Sequence, residues 1–154
     1  MVLPVVTNVV VEDLTLNDEE INKVVEVWYQ ASIRCHHFIS EQYWRDNREV
    51  MARLYIPSSH TRVAKCSGQT VGFVSLVGNT LASIFIHPDY QRMGIGKRLL
   101  QSACNERSEL QLNVYCQNTN AIAFYRRHGF TNVAEGVDEY TGQPALTMKW
   151  SANK

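Results

Sequence analysis

The segment Asp89-Tyr90-Gln91-Arg92-Met93-Gly94-Ile95-Gly96-Lys97-Arg98-Leu99-Leu100 holds two glycines two residues apart, with Arg92 before them and Lys97 and Arg98 after. Ile95, Leu99, Leu100 and Ala103 follow at helical spacing, so a helix begins at the glycines. The first amide N–H groups of a helix lack partners within it, and the dipole adds partial positive charge there. Acidic side chains ordinarily fill such a turn, yet none occurs between Asp89 and Glu106. Three cations crowd the positive end instead, at a cost of roughly a few tenths to 1 kcal/mol each unless an anion binds. The glycines let a phosphate approach the backbone closely. The pattern therefore predicts a phosphate or pyrophosphate site, with a plain strand-to-helix turn as the alternative for Gly-x-Gly alone. Other nucleotide motifs fail. A P-loop needs four residues between its glycines and Lys-Ser/Thr after the second. A dinucleotide fingerprint needs a third glycine where Leu99 stands.

Other residues could take or give protons. His36, His37, Glu41 and Tyr43 cluster in one segment, and His has an ordinary pKa suited to proton transfer near neutrality. Asn118 or Asn120 could cap the helix that follows. Tyr125, beside Phe124, reads on periodicity alone as a core aromatic. His60 and His128 read as exposed, His87 as a strand-terminal residue, and Asp138-Glu139 as a solvated loop able to attract a cationic acceptor. Cys35, Cys66, Cys104 and Cys116 are scattered without a C-x-x-C pair, so no metal site is expected. They read as reduced, mostly buried thiols, and Cys116 on the apolar side of a strand is not a nucleophile.

The elements that must position these residues run along the whole chain. Residues 5–11 predict a first strand. Asn17 and Glu20 form a capping box, and Ile21, Val24, Val25 and Trp28 give one apolar helix face. A second helix is predicted over residues 40–54, with Tyr43, Val50, Met51 and Leu54 inward and Pro57 beyond its end. Strands at 61–66, 70–77 and 81–87, joined by Ser67-Gly68 and Gly78-Asn79, form an antiparallel meander. After the glycine helix, residues 110–116 alternate cleanly: Leu110, Leu112, Val114 and Cys116 face one way, Gln111, Asn113 and Tyr115 the other. Residues 121–128 form a helix closed by Gly129, and 130–134 and 145–150 are closing strands. At 154 residues and zero formal net charge this is one α/β (α+β) domain over residues 1–154, with no global field for nucleic acid or membrane. The apolar N-terminus lacks a basic flank and cleavage site, so a cytoplasmic protein is expected.

Gln91-Arg92-Met93-Gly94-Ile95-Gly96 resembles the Q/R-x-x-G-x-G/A signature of the GCN5-related N-acetyltransferases, approached by Ile84-Phe85-Ile86-His87-Pro88-Asp89-Tyr90 as that family's fourth strand. Asn118, Ala121, Tyr125 and Gly129-Phe130 fill its N-x-x-A-x-x-x-Y-x-x-x-G-F pattern. Trp28, His37-Phe38-Ile39-Ser40 and Tyr43 resemble its YjaB-like bacterial subgroup. The resemblance implies a mixed, mostly antiparallel sheet of about seven strands, flanked by about four helices and splayed between strands 4 and 5. It implies acetyl-CoA (coenzyme A) as cofactor, its pantetheine arm along 83–86 and its pyrophosphate on the amides of Arg92, Met93, Gly94, Ile95, Gly96 and Lys97. Gln91, Asn118 and Tyr125 complete that site. The amide of Phe85 or Ile86 would polarise the thioester carbonyl, Tyr125 would protonate the leaving thiolate, and His37 is the candidate base. The activity implied is direct transfer to a primary amine, small molecule or peptide, in a ternary complex; a catalytically inactive acyl-CoA-binding module is the alternative. The resemblance is compatible with a homodimer, and it leaves the acceptor open.

Overall fold

The computed structural model describes residues 8–152. Seven strands form one sheet: β1 (Val9–Asp13), β2 (His60–Cys66), β3 (Gln69–Val77), β4 (Thr80–Ile86), β5 (Glu109–Tyr115), β6 (Thr131–Val137) and β7 (Pro144–Ser151). Their order is β1-β2-β3-β4-β5-β7-β6, antiparallel throughout except for β4 and β5. The expected mixed seven-stranded sheet is therefore present. Residues 5–7 of the expected first strand lie outside the described residues, and β1 begins at Val9.

β4 and β5 pair only at Thr80 and Gln111, where the Gln111 amide donates to the Asn79 carbonyl at 2.8 Å. Beyond that bridge the strands diverge. Their facing backbone groups are left to whatever fills the gap, because a polar backbone group without a partner is costly.

Helices cover both faces. α1 (Asp18–Cys35) and the segment after it lie on one; α4 (Ile95–Asn105) and α5 (Thr119–Arg127) lie on the other. Val24, Trp28 and Trp44 pack with Val63 and Phe73 in one core, and Leu99, Ala103, Ile122 and Tyr125 pack with Val71 and Leu112 in the second. A Cβ on Gly72 would meet Ile86 Cδ1 at 2.8 Å and Leu99 Cδ1 at 3.2 Å, so its absence lets α4 press against β3 and β4. No helix among the described residues is long and apolar enough to cross a membrane.

Three local expectations are corrected. Asn17 caps α1 by accepting from the Glu20 amide at 2.8 Å, but Glu20 does not reach back. Its carboxylate meets Lys23 at 3.1 Å and Lys65 at 3.4 Å, and charge-assisted partners outcompete a backbone amide. The helix expected over 40–54 divides into α2 (Glu41–Asp46), α3 (Arg48–Val50) and a wide π turn (Met51–Tyr55), in which the Ile56 amide donates to the Met51 carbonyl. The extra residue of an i→i+5 turn rotates the chain beyond it. Met51 and Ile56 are buried while Leu54, expected inward, is 52% exposed; Trp44 of α2 is buried, and Tyr43 and Val50 are half-buried. The cysteines are free, as expected, but half-buried.

Candidate active site

A cavity of about 1310 Å³ opens where β4 and β5 separate. The β3–β4 register fixes which backbone groups enter it. His87 N–H donates to its opposite partner Val71 at 2.8 Å, and the ladder continues in register through Phe85–Phe73 and Ser83–Ser75. Hydrogen-bonded and non-hydrogen-bonded pairs alternate along an antiparallel ladder. The amides of Ser83 and Phe85 therefore face β3, and those of Ile84 and Ile86 face the gap. Of the two expected donors, Ile86 presents its amide and Phe85 only its ring. Gln91 Nε2 donates to the Ile86 carbonyl at 3.1 Å, which ties the loop to the end of β4.

That loop ends at Gly94, left-handed at φ 81°, the N-cap of α4 with no side-chain cap and no acid in the first turn. Arg92 is also left-handed, at φ 65°, a conformation that costs about 1–3 kcal/mol in a non-glycine residue. The loop and α4 thus turn uncapped amides outward, and these fit a diphosphate. Gln91, Arg92, Gly94, Ile95, Gly96 and Lys97 line the cavity here. The Met93 side chain, 38% exposed, is not in the lining, and the Ile95 side chain is core. Arg98 is committed elsewhere: its Nη1 donates to the Val9 carbonyl at 2.5 Å. Two basic residues at the end of α5, Arg127 and His128, join the lining; neither was expected there from the sequence. Burial, then Lys97 and Arg127, hold the His128 pKa below its ordinary value.

α5 supplies Tyr125 and Asn118. Tyr125 is 7% exposed and lines the cavity, and its hydroxyl has no hydrogen-bond partner among the described residues. Burial pushes its pKa well above the ordinary phenol value, so the proton stays on. Asn118, not Asn120, caps α5: its Oδ1 accepts from the Ala121 amide at 3.3 Å, while Nδ2 lies 3.3 Å from His36 Nε2. Only one Asn118 N–H remains for a cofactor arm.

The opposite wall comes from residues far apart in sequence. His36, at the C-cap of α1, is 6% exposed and packs against the rings of Trp44 (5.3 Å), Phe85 (6.1 Å) and Tyr115 (5.1 Å). Burial lowers its pKa to about 4, so it is neutral at working pH. His37 lines the same cavity but is exposed at its rim. Tyr115 donates to Asp138 Oδ2 at 2.7 Å, and burial followed by this bond raises the phenol pKa. Asp138 also accepts from Thr141 Oγ1 and the Tyr140 amide, so the expected solvated loop is an ordered turn. Burial opposes these bonds, yet their sum leaves the Asp138 pKa below its ordinary value. Trp44 and Tyr115 line the cavity without having been singled out as site residues, while Asp138 had been named only as able to attract a cationic acceptor. For Tyr115 the signal in the sequence was its place on the polar side of an alternating strand.

No thiol offers itself as a nucleophile. Cys35 Sγ is engaged with the Ala31 carbonyl at 2.8 Å and burial raises its pKa; Cys116 does not line the cavity. Asp13, His60 and Glu106 converge at the sheet's far edge, where Arg62 bonds both carboxylates at 3.2 and 3.3 Å and supplies the cation. His60 is therefore paired rather than simply exposed.

Comparison with known proteins places this geometry. Residues 57–132 match the family model of the acetyltransferase (GNAT) domain. The chain is 34% identical over 132 residues to the peptidyl-lysine N-acetyltransferase YiaC of Escherichia coli (strain K12), covering 85% of this chain and 90% of that one. It is 32% identical over 127 residues to the peptidyl-lysine N-acetyltransferase YjaB of the same organism, with 82% and 86% covered. The solution structure of apo-form YjaB from Escherichia coli matches with a TM-score of 0.81 at 27% identity, over 94% of this chain and 98% of that one.

Proposed function

The chain belongs to the GNAT acetyltransferase family, whose cofactor is acetyl-CoA, and on that premise we propose that it transfers the acetyl group directly to the side-chain amine of a peptidyl lysine. One observation carries the reading: the unpaired Tyr125 hydroxyl lies in the wall of the same gap whose other end is the uncapped α4 turn. A diphosphate held at Arg92–Lys97 would lay the pantetheine arm along the gap-facing amides of Ile84 and Ile86 and bring the thioester to Tyr125. The neutral amine attacks the acyl carbon, and the Ile86 amide holds the oxygen as it gains charge. Collapse expels the sulfur, which takes the Tyr125 proton. Burial raises the phenol pKa, but it raises that of a thiol in the same slot as well, so the transfer is less uphill than the phenol's shift alone suggests. His37, at the solvent rim, accepts the amine's proton and passes it to water. His36 is not suited to that role, because burial disfavours its protonated form and its Nε2 lone pair is engaged by Asn118.

The lysine acceptor is supported by the names of the YiaC and YjaB relatives and by the carboxylate of Asp138 in the cavity wall. The test is CoA release from acetyl-CoA with a lysine peptide, its Nα-blocked form and a panel of free amines, with mass spectrometry locating the acetyl group. Acetylation at Nε of the blocked peptide is expected. Release with free small amines alone would overturn the peptide acceptor, and none with any amine would overturn the enzyme reading.

A further inference from the structure

Among the described residues, the acids that line the cavity are Glu135 and Asp138, and the sheet register separates them. Gly136 and Tyr115 both pair with Ala145, so these three share one face of the sheet. Glu135 and Val114 both pair with Leu146 and belong to the other face, toward α5. Asp138 is tied to the Tyr115 face, because the Tyr115 hydroxyl donates to its Oδ2 at 2.7 Å. That is the face of α1 and α2, opposite the one that α4 and α5 cover. The other donors to Asp138 are Thr141 Oγ1 at 3.0 Å and the Tyr140 amide at 3.1 Å. All three are neutral, and among the described residues Asp138 has no ion pair. Burial works against its charged form, but these bonds outweigh it and hold the pKa below the ordinary carboxylate value. A half-buried charge is thus left uncancelled in the cavity wall, where charges are ordinarily paired, and it points to a cation that arrives with a ligand.

The surroundings identify the kind of cation. Tyr140 is 75% exposed, and Tyr55, in the π turn, is 49% exposed. Tyr43 of α2 stands near both: burial raises its pKa, and the Asp138 charge, then Tyr55 and Tyr140, raise it further. Phenol rings beside a carboxylate suit an alkylammonium group, which donates to the carboxylate and rests on the ring faces. Room for its carbon arm exists beside the charge, since the sheet carries only Ala145 and Gly136 next to Tyr115. We propose that Asp138, rimmed by Tyr43 and Tyr140, anchors the reactive lysine of the acceptor peptide as an ammonium ion before the amine moves to the acyl carbon. This rests on the reading of the gap as the thioester slot and of a peptidyl lysine as the acceptor. Asp138 holds the ion and does not take its proton, because a carboxylate is far too weak a base for an alkylammonium. The proton passes to His37 and water, the freed lone pair forms the C–N bond, and the C–S pair leaves with sulfur. An anchor released before the attack contributes to binding and not to the barrier.

Two peptides test the anchor without altering the protein. One carries trimethyl-lysine at the acceptor position, which keeps the charge and cannot be acetylated. The other carries norleucine, which keeps the four-carbon arm and lacks the charge. Each is measured as an inhibitor of lysine-peptide acetylation, in the parent and in Asp138→Asn, which preserves the shape and an oxygen for the Tyr140 amide. The parent is expected to prefer the trimethyl-lysine peptide about tenfold, the scale of one cation–aromatic contact, and Asp138→Asn to lose most of that preference. With the lysine peptide, Asp138→Asn should raise KM about tenfold or more while kcat stays within about threefold. Its KM should also respond less to added salt. Tyr115→Phe removes a holder of the carboxylate but not its charge, and should keep the preference. Equal inhibition by the two peptides in the parent would overturn the proposal. So would a fall in kcat at parent KM, which would put Asp138 in the chemistry. Equal damage in Tyr115→Phe and Asp138→Asn would make Asp138 a brace for its turn and overturn it too. Should the parent release no CoA with any amine, the function fails, while calorimetry of the two peptides on the CoA-loaded protein still decides the anchor.

Discussion

On the wall proposed for the cofactor, the groups offered to a diphosphate come from one short run, Gln91 to Lys97, and most of them are backbone amides. On the acceptor wall, His36, Trp44, Tyr115 and Asp138 come from the end of α1, from α2, from β5 and from the turn before β7, and all act through side chains. The difference follows from what each wall binds. A diphosphate is the same in every reaction that uses this cofactor, so fixed local geometry suffices: two left-handed residues and an uncapped helix end. An acyl carbon under attack needs a donor, an acid and an open path converging from different directions, and only distant segments can supply those.

The comparison can be broken or sharpened by substitution and by pH. The largest effect is expected at Tyr125, the proposed general acid. Tyr125→Phe should lower kcat at least 100-fold, within the range for a lost general acid, with Kd for acetyl-CoA changed less than about twofold. An unchanged kcat in a thiol-release assay removes Tyr125 from the acid role.

Next comes the acid limb of stability, which probes the acceptor wall. His36 has a folded pKa of about 4 against 6.5, so the unfolded chain binds more protons between those values. Its contribution, at most about 3 kcal/mol, is complete above pH 6.5 and is lost as pH falls through about 4. Melting temperature should fall over that window, and His36→Asn should flatten the slope. An identical slope in that variant would show that other groups carry it.

Gly94→Val strikes the cofactor wall. No atom lies within 4 Å of the position a Cβ would take, so the penalty is conformational: a β-branched residue at φ 81°. Strain of about 1–3 kcal/mol should raise Kd for acetyl-CoA tenfold or more if the loop shifts to relieve it. Calorimetry that finds parent affinity would mean that the loop geometry is not what holds the diphosphate.

The smallest effect is expected at Arg98, which flanks the glycine turn but is tied to β1 through the Val9 carbonyl. Arg98→Ala should change Kd for acetyl-CoA less than about twofold, whereas Arg92→Ala should weaken it severalfold and make it less salt-dependent. The reverse ranking would return Arg98 to the phosphate site.

Much of this molecule was legible in sequence, and the legible parts share a short range. The period of Ile95, Leu99, Leu100 and Ala103 gave α4, the alternation of Leu110, Leu112 and Val114 gave β5, and Gly129 marked the end of α5 because a left-handed cap, here at φ 93°, favours glycine. The failures share a cause as well. Glu20 found Lys65 forty-five residues away instead of the neighbouring amide. The π turn at Met51–Tyr55 interrupted the expected helix and left Leu54 outside the core, and periodicity cannot register an inserted residue.

The sequence by itself determined the strands, the helices other than the one expected over 40–54, the uncapped glycine turn and Tyr125 on the α5 face, because each depends on residues within a few positions of one another. Tertiary structure decided the rest. That the Ile86 amide and not that of Phe85 enters the gap was set by β3. That His36 and not His37 is buried and neutral was set by the rings of Trp44, Phe85 and Tyr115 around it, and its contact with Asn118 spans 82 residues. Burial and hydrogen-bond direction are properties of what surrounds a group, and those surroundings exist only once the chain has folded.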